Sequence, residues 1–549
     1  MHSTLLTALT LASGTVAQKQ LGWNHAPVEK DNAAVSRNYP EVDVELLSPA
    51  FTNPDSVPEG FANGTSGPTD DATLEKAADV ADYFIRTLAN RNDWLSYHVA
   101  DFHSEEGRSF PYVFLTEDSQ GIVAANASSK LRVYIQGGIH GNEPAGDQGI
   151  LALLGKLDAN QTYTASLLER LDILILPRYN PDGIAYFQRE FATNIDPNRE
   201  GIKLERQQSR DIKKLINSWH PHVVVDMHEY TASRVYGGVY RHGQDALIAS
   251  GRNLNTHKDI RNLTEELFSA NIGERLDGDG FRWEPYVTGA TNETLGSPIV
   301  FEEAVTSATS GRNAYGLTQA VAILCELRGI RLADQNFHRR VATALAMLES
   351  ILETARDNAD YVLETVEASI ADFIQSDEDI VLTDYQESTR RSFTMVDTRN
   401  GSIVQVPVEF LSSSPATANL TRERPEAYLI PRNRADLAEK LVVQGLDVEV
   451  LQFEYRGTVQ ALNVTSSRLG SSWYEGRVRN QITTEPIEKE LRLRAGSFRV
   501  STRQKNAALA FISLEPEVPE SFAAMGLLQV ATGDEYPIFR VLAGERNSK

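Results

Sequence analysis

The sequence predicts an α/β protein in which helices cover both faces of a mixed, mainly parallel sheet, followed by a β-rich C-terminal domain. Two observations predict this class. Short apolar runs alternate with helical patterns up to about residue 378, which is typical of a mainly parallel sheet. Beyond about residue 380, short β-branched runs are separated by turn residues, which indicates a second unit built from strands. A length of 549 residues and an apolar content of 41% suffice for two such units.

The N-terminal segment has the features of a secretory signal peptide. Residues 1–17 contain a short apolar run and end in Thr15-Val16-Ala17, a small-residue cleavage pattern. Residues 18–71 are polar and rich in Pro, Asn and Gly, so we expect a loose arm or pro-segment with little regular structure. No later run has the roughly 18 consecutive apolar residues of a membrane span. We therefore expect a secreted, extracellular protein.

Glycosylation sequons and charge support this interpretation. Asn-x-Ser/Thr triplets begin at Asn63, Asn126, Asn160, Asn262, Asn292, Asn400, Asn419 and Asn463. The net charge of −22 is spread along the chain, which argues against nucleic acid or an anionic membrane surface as a partner. The single cysteine, Cys325, excludes an intramolecular disulfide, and we expect it to be buried and inert because it follows an apolar run.

The remaining chain is predicted to form a region of alternating strands and helices over residues 72–378 and a β-rich accessory domain over 379–549. In chain order, the first region is predicted to contain helix 72–90, strand 131–136, helix 146–157, strand 172–176, helix 209–219, strands 222–226 and 320–326, and helices 336–355 and 359–374. The accessory domain contains the β-branched runs 403–408, 446–455, 491–500 and 507–514. We find no cluster of catalytic residue types in the accessory domain.

Polar clusters follow the predicted strands at one edge of the sheet, where open α/β sheets bind their ligands. The strand 131–136 leads into His140 and Glu143, the strand 222–226 leads into His228, and the strand from residue 320 ends at Glu326. Two imidazoles and one carboxylate, with an open fourth position, are the ligand set of a catalytic zinc. The sequence therefore predicts one Zn²⁺ per chain.

This pattern resembles the zinc carboxypeptidase family, the carboxypeptidase A-like metallopeptidases. The matches occur in order over residues 131–329 and comprise His140-x-x-Glu143, Asn180-Pro181-Asp182-Gly183, Asp196-Pro197-Asn198-Arg199, His228 and Glu326-Leu327-Arg328. The resemblance implies hydrolysis of the C-terminal peptide bond of peptides or proteins. By resemblance, His140, Glu143 and His228 are the zinc ligands, and Glu326 is the general base that activates water.

The same resemblance implies further roles. Asn198 and Arg199 resemble the pair that grips the substrate's C-terminal carboxylate, for which a guanidinium fork is well suited. Arg189 resembles the arginine that stabilises the oxyanion beside the metal, although Arg178 is also nearby. Asp196 resembles the carboxylate that orients the first histidine ligand.

The sequence also departs from the family pattern. The mobile loop of classical members carries a tyrosine, which the corresponding stretch 305–311 lacks. Tyr315 is the nearest substitute and is predicted to contact substrate. Arg312 and Asn313 are candidates for the specificity-determining position. Asp226 and Glu229 flank a ligand and either tune it or are simply solvated or helix-capping acids.

Two alternatives remain open from the sequence. A related zinc amidohydrolase of the aspartoacylase and succinylglutamate desuccinylase type would cleave N-acyl amino acids, and shares the His-Gly-Asn-Glu and Asp-x-Asn-Arg patterns. A catalytically inactive protein with the same fold would bind peptides only. The turn at 180–183, the motif at 326–328 and the export signals favour the peptidase. The oligomeric state is left open.

Overall fold

The computed structural model describes residues 27–52, 81–117 and 129–544. The parts of the prediction that lie outside these residues are the signal peptide, residues 18–26 and 53–71 of the arm, the first part of the helix predicted at 72–90, and the sequons at Asn63 and Asn126. The strands, in chain order, are β1 (Leu95–His103), β2 (Ser109–Leu115), β3 (Leu131–Gln136), β4 (Leu171–Leu176), β5 (Val223–Thr231), β6 (Tyr240–His242), β7 (Ala246–Ser250), β8 (Trp283–Pro285), β9 (Val287–Thr288), β10 (Val300–Glu303), β11 (Val321–Ile330), β12 (Ile380–Asp397), β13 (Ile403–Arg422), β14 (Ala427–Ile430), β15 (Val448–Val450), β16 (Tyr455–Tyr474), β17 (Arg477–Leu493), β18 (Phe498–Ser501) and β19 (Phe539–Val541).

The first sheet has eight strands in the order β1-β2-β4-β3-β5-β11-β7-β8. Its four central strands, β4, β3, β5 and β11, run parallel, and they confirm the four strands predicted from the sequence. All residues of β3 and β4 are buried, which explains why their sequences are mainly apolar and do not alternate between apolar and polar residues. Antiparallel strands at both edges make the sheet mixed.

Helices cover both faces of this sheet. Val133 and Ile135 of β3 pack into one core with the helices Pro144–Ala159 and Phe337–Asp357, whereas Tyr134 packs on the opposite face with the helix Gln207–Trp219. The α-helices are Ala33–Ser36, Pro49–Thr52, 81–89, Pro144–Ala159, Gln161–Leu168, Pro181–Tyr186, Gln207–Trp219, Lys258–Asn262, Ala270–Gly278, Gly311–Gly316, Phe337–Asp357, Ala359–Gln375, Ala435–Val443 and Ala507–Leu514. The π-helix Leu263–Ser269 joins two of them, and 3₁₀ turns lie at Pro197–Arg199 and Arg432–Arg434.

Two further sheets contain most of the chain beyond residue 378. A five-stranded sheet has the order β6-β12-β13-β10-β9, and a six-stranded sheet has the order β15-β18-β14-β19-β16-β17. The C-terminal region is therefore β-rich, as predicted. Strand β12 pairs with β6 and β13 pairs with β10, so strands on either side of residue 378 share one sheet. The exact domain boundaries stay a prediction.

One predicted strand of the C-terminal region is wrong. Residues 507–514 form the helix Ala507–Leu514, in which every side chain is buried. A continuous apolar run cannot distinguish a buried strand from a buried helix, and the Ala and Leu content of this run favours the helix. The run 446–455 is mostly not strand either, because only Val448–Val450 and the start of β16 are extended.

The described part of the N-terminal arm, residues 27–52, contains only two single-turn helices, yet it is held firmly. The buried Asp31 forms ion pairs with Arg241 at 3.0 Å and with Arg328 at 2.6 Å. Arg328 of the matched motif therefore stabilises the arm. Cys325 is buried, as predicted, and burial raises the pKa of its thiol. Within the described ranges, no helix combines the length and apolar character needed to cross a membrane.

Candidate active site

The carboxyl edge of the central sheet gathers the predicted metal ligands and base. His228 lies on β5, and Glu326 lies directly opposite it on the parallel neighbour β11. His140 and Glu143 lie in the loop between β3 and the helix Pro144–Ala159. Because β3, β5 and β11 are neighbours, residues far apart in the chain meet at one edge, as the sequence predicts.

The loop that carries His140 packs directly on the turn 180–183. A Cβ at Gly141 would lie 1.8 Å from the carbonyl carbon of Gly183, so only glycine fits at this position. The turn is held by Asn180, whose Oδ1 accepts a hydrogen bond of 2.9 Å from the Gly183 N–H. This motif therefore positions the metal-ligand loop through the backbone.

The three predicted ligands have the spacing of a zinc site. The Nδ1 atoms of His140 and His228 are 3.1 Å apart, and the Glu143 carboxylate lies 2.8 Å from the first and 2.9 Å from the second. Two nitrogens bound at about 2.0–2.1 Å to a tetrahedral zinc would be about 3.3 Å apart, so this spacing fits. All three side chains are buried, and their ligand atoms lie within 4.8 Å of one another. The donor set and its compactness thus suit a zinc ion.

Carboxylate oxygens lie beside the Nε2 atoms of the two histidines, which face away from this cluster. His140 Nε2 lies 3.0 Å from Asp196 Oδ1, and His228 Nε2 lies 3.1 Å from Asp226 Oδ2. The hydrogen bond to Asp196 fixes the proton of His140 on Nε2 and leaves its Nδ1 free for the metal, whereas His228 Nε2 and Asp226 Oδ2 lie within ion-pair distance but do not have hydrogen-bond geometry. The resemblance implied this role for Asp196. For Asp226, the sequence left open whether it tunes the ligand.

Arg189 lies beside the same cluster. Its Nη1 donates to Glu143 Oε1 at 3.2 Å, and its Nε donates to Asp196 Oδ2 at 3.0 Å. Arg178, the alternative considered from sequence, donates instead to Asp147 at 2.8 Å. The structure therefore brings Arg189 to the predicted metal ligands.

Glu326 is buried, and its Oε2 has no hydrogen-bond partner among the described residues. Burial raises the pKa of Glu326 to about 8; the imidazole of His228 opposes this shift and the carboxylate of Glu143 adds to it. A nearby divalent cation stabilises the ionised form and brings that pKa down. Glu229, which directly follows His228, is engaged elsewhere because Arg340 donates to its Oε1 at 2.7 and 2.9 Å.

A cleft of about 860 Å³ opens over these residues, a size that suits a peptide segment. Asn198 and Arg199 line it. Asn198 Oδ1 accepts a hydrogen bond of 2.7 Å from the Gly311 N–H, while its side-chain N–H group has no partner among the described residues. Arg199 Nη1 donates to the Asn198 carbonyl at 2.8 Å, and no carboxylate of the described residues pairs with it. This guanidinium is available to an anionic ligand.

Tyr315, predicted to contact substrate, does not reach the cleft. It is buried, its hydroxyl donates to Gln136 Oε1 at 3.0 Å, and its ring packs in the core on one face of the central sheet. The prediction rested on proximity along the chain. On the short helix Gly311–Gly316, however, the side chain of Tyr315 faces the sheet while Arg312 lines the cleft.

Sequence reasoning missed residues of the C-terminal region that also line the cleft. Tyr474 and Glu475 lie at the tip of the hairpin formed by β16 and β17. The backbone N–H of Asp196 donates to Glu475 Oε2 at 2.8 Å, and Lys203 Nζ donates to the Glu475 carbonyl at 3.3 Å. Glu475-Gly476 is recognisable as a tight turn. Nothing in the sequence indicates what the turn touches.

A sequence model of the family described as zinc carboxypeptidase matches residues 83–265. The matched stretch contains His140, Glu143, Arg189, Asn198 and His228, and it ends before Glu326.

Curated relatives match over nearly the full length. Carboxypeptidase 2 of Trichophyton equinum is 49% identical over 541 residues, which cover 98% of this chain and 98% of that protein. Carboxypeptidase 2 of Trichophyton rubrum is 48% identical over 539 residues, with the same coverage of 98% on both sides. Among solved structures, a metallo-carboxypeptidase from Burkholderia cenocepacia aligns with 17% identity and a TM-score of 0.39, covering 50% of this chain and 68% of that chain.

Proposed function

The chain belongs to the zinc carboxypeptidase family, and on this premise we propose that it releases single residues from the C-terminus of peptides, with Glu326 as the general base. The zinc would be held by His140, Glu143 and His228. When bound, it supplies a Lewis acid that polarises the scissile carbonyl and makes water more acidic. The remaining steps depend on the side chains of this chain.

Glu326 takes a proton from the attacking water as the new C–O bond forms, and later gives that proton to the leaving amine as the C–N bond breaks. Its position opposite His228 and its unpartnered Oε2 support this role. Glu229 is a poor candidate because its carboxylate is bound to Arg340.

Arg189 stabilises the negative charge that develops on the carbonyl oxygen. Its contact with Glu143 supports this role, because it brings a guanidinium next to a metal ligand. Asp196 fixes this guanidinium and the ring of His140 at the same time. The two groups therefore keep one geometry during the reaction.

Asn198 and Arg199 bind the C-terminal carboxylate of the substrate. The observation that carries the exopeptidase proposal is the guanidinium of Arg199, which lines the metal cleft without pairing with any carboxylate of the described residues. A planar guanidinium forms two parallel hydrogen bonds with a carboxylate, which sets both its position and its direction. When the C-terminal carboxylate is bound in this way, the scissile peptide bond is the last one of the chain, and a single residue is released.

We also propose that the protein is secreted and glycosylated. The apolar N-terminal run followed by small residues supports export. The sequon asparagines in the described ranges are all exposed, which glycan attachment requires; they are Asn160, Asn262, Asn292, Asn400, Asn419 and Asn463. A shift in mass after glycosidase treatment of the protein recovered from culture medium tests this proposal.

The exopeptidase proposal is tested with peptides of five residues that carry either a free acid or an amide at the C-terminus. The amide removes the charged partner of Arg199, so we expect kcat/KM to fall at least about tenfold. Arg199→Ala should compress this difference while the zinc content stays unchanged. Arg234→Ala is the matched control because Arg234 is exposed at the rim of the same cleft. Activity confined to N-acyl amino acids, with no stepwise shortening of the peptide, would overturn the proposal.

A further inference from the structure

Arg312 is a second guanidinium in the wall of the cleft. It lies in the first turn of the helix Gly311–Gly316 and is only 7% exposed. The Gly311 N–H, one residue before it, donates to Asn198 Oδ1 at 2.7 Å. Because Asn198 directly precedes Arg199, one hydrogen bond joins the backbone segments from which both guanidiniums extend.

Within the described ranges of the chain, no acidic side chain compensates the charge of Arg312. Its Nη2 donates to the Val305 carbonyl at 2.5 Å, its buried Nε has no partner, and no carboxylate of the described residues pairs with it. Nearby Arg252, equally buried, is bound by Glu265 at 2.8 Å and by Glu303 at 2.6 Å. Buried charges are normally paired in this way. An arginine kept buried and unpaired in a cleft wall is therefore a site for an external anion.

The groups around Arg312 do not supply that anion. Burial raises the pKa of Tyr286, so its phenol is neutral at physiological pH. Burial also lowers the pKa of Arg312 to about 10, and the neighbouring Arg199 acts in the same direction. Glu326 acts electrostatically on Arg312, but it is the proposed base and forms no ion pair with Arg312 among the described contacts. Arg312 therefore remains charged at neutral pH and has no acidic partner in the part of the chain that the structure describes.

We propose that Arg312 binds a second carboxylate on the C-terminal residue of the substrate, so that the enzyme prefers peptides ending in glutamate or aspartate. This inference rests on the proposed exopeptidase function, in which Arg199 binds the main-chain carboxylate. The side-chain carboxylate then pairs with the guanidinium of Arg312 inside the cleft. A glutamine side chain has the same shape but offers no charge, and its amide nitrogen cannot accept a hydrogen bond.

The test uses zinc-loaded enzyme and peptides that differ only in a C-terminal Glu, Gln, Leu or Lys. We expect kcat/KM for Glu to exceed that for Gln at least about tenfold, with Lys the poorest substrate. Arg312→Gln should reduce the Glu-to-Gln ratio below about threefold with unchanged zinc content. Arg312→Lys should keep part of the preference because it keeps the charge and loses the fork. Arg234→Gln, which removes an exposed guanidinium at the rim, should leave the ratio unchanged.

A measurement on the wild-type protein alone covers the case in which these variants do not fold. Pentanedioic acid, with two carboxylates, should inhibit at least about tenfold more strongly than pentanoic acid, with one. Equal inhibition, or cleavage of Gln and Leu peptides as fast as the Glu peptide, overturns the inference and leaves the exopeptidase function standing. If no peptide with a free C-terminus is cleaved, the proposed function itself fails.

Discussion

The two ends of the cleft differ in how their charges are compensated. The metal end is formed by His140, Glu143 and His228. Carboxylates contact both of these histidines, and the guanidinium of Arg189 contacts Glu143. At the substrate end, formed by Asn198, Arg199 and Arg312, two guanidiniums pair with no carboxylate of the described residues. In the proposed function, the metal end holds a cation and the substrate end receives anions.

The two ends also have different supports. The metal end lies on β5 and on the loop that follows its neighbour β3, and the backbones of these two strands are fixed by their hydrogen bonds. The substrate end lies on the 3₁₀ turn Pro197–Arg199 and the short helix Gly311–Gly316, which are joined through Asn198. A change at the metal end should therefore abolish chemistry, whereas a change at the substrate end should alter which substrates are used.

The largest effect is expected for His228→Ala. Two ligands remain, so zinc binding should be lost and activity should fall at least about a thousandfold. Metal analysis of the purified protein, together with peptide hydrolysis, measures both. His103→Ala, at an exposed histidine, is the control and should retain zinc and activity. A zinc-loaded, active His228→Ala enzyme would remove the basis for the metal end.

The next largest effect is expected for Glu326→Gln, which distinguishes the role of the general base from that of the metal ligands. Glu326→Gln keeps the shape of the side chain and all three ligands, so one zinc per chain should remain. Turnover should fall by about a hundredfold to ten thousandfold, because the amide cannot take up a proton. End-point hydrolysis assays on wild-type and variant enzyme of equal zinc content measure this loss of turnover. If turnover stays near that of the wild type, the base is another group.

A smaller effect is expected where the C-terminal hairpin contacts the metal end. Glu475→Gln weakens the charged hydrogen bond to the Asp196 backbone, a contact of 2.8 Å, by about 0.5–1 kcal/mol. We expect kcat/KM to fall about two- to fivefold with zinc retained. Glu488→Gln, at an exposed position on the same hairpin, should have no effect. Equal activities of the two variants would indicate that this contact does not support the site.

The smallest effect on activity is expected beneath the substrate end, at Lys213. This lysine is buried, and its Nζ lies 4.8 Å from the centre of the Tyr315 ring. Burial lowers its pKa from 10.5 to about 8, so the folded state opposes protonation. The unfolded chain thus binds more protons between those values. The free energy of unfolding of the wild type should therefore rise between about pH 8 and about pH 10.5. Below about pH 8, the folded state bears the full cost of burying the protonated lysine.

Replacing Lys213 by an uncharged side chain removes the energetic cost of burying a protonated amine. Lys213→Met should stabilise the protein by up to about 3 kcal/mol at pH 7, and the gain should shrink as the pH approaches 10. Chemical denaturation at both pH values measures the difference. Lys214→Met changes an exposed neighbour and should leave stability within about 0.5 kcal/mol. A less stable Lys213→Met protein at pH 7 would contradict the expectation.

The metal end was predictable from sequence because its residues follow apolar strands, and parallel strands end at one edge. His140, Glu143, His228 and Glu326 need only that rule to be brought together. The substrate end was less accessible. The exclusion of Tyr315 from the cleft depends on which side of a single helical turn it occupies. The lack of an ion pair at Arg312 depends on which side chains the fold brings beside it, and no described carboxylate among them pairs with it. Neither property leaves a pattern in the chain.

The C-terminal region illustrates the same limit. Its strands were predicted because β-branched runs alternate with turn residues, but the apolar run at 507–514 suited a helix equally well. The contact between Asp196 and Glu475 joins residues 279 positions apart. Only the length and direction of β16 and β17 determine that the tip of their hairpin reaches the cleft.

This contact sets an order of events during synthesis. The chain emerges from the ribosome from its N-terminus, so the zinc ligands and Glu326 are all available before the hairpin tip exists. At about 5–20 residues per second, the 279 residues between Asp196 and Glu475 take roughly 15–55 seconds to make. The wall of the cleft beside Asp196 is therefore among the last parts of the enzyme to be completed.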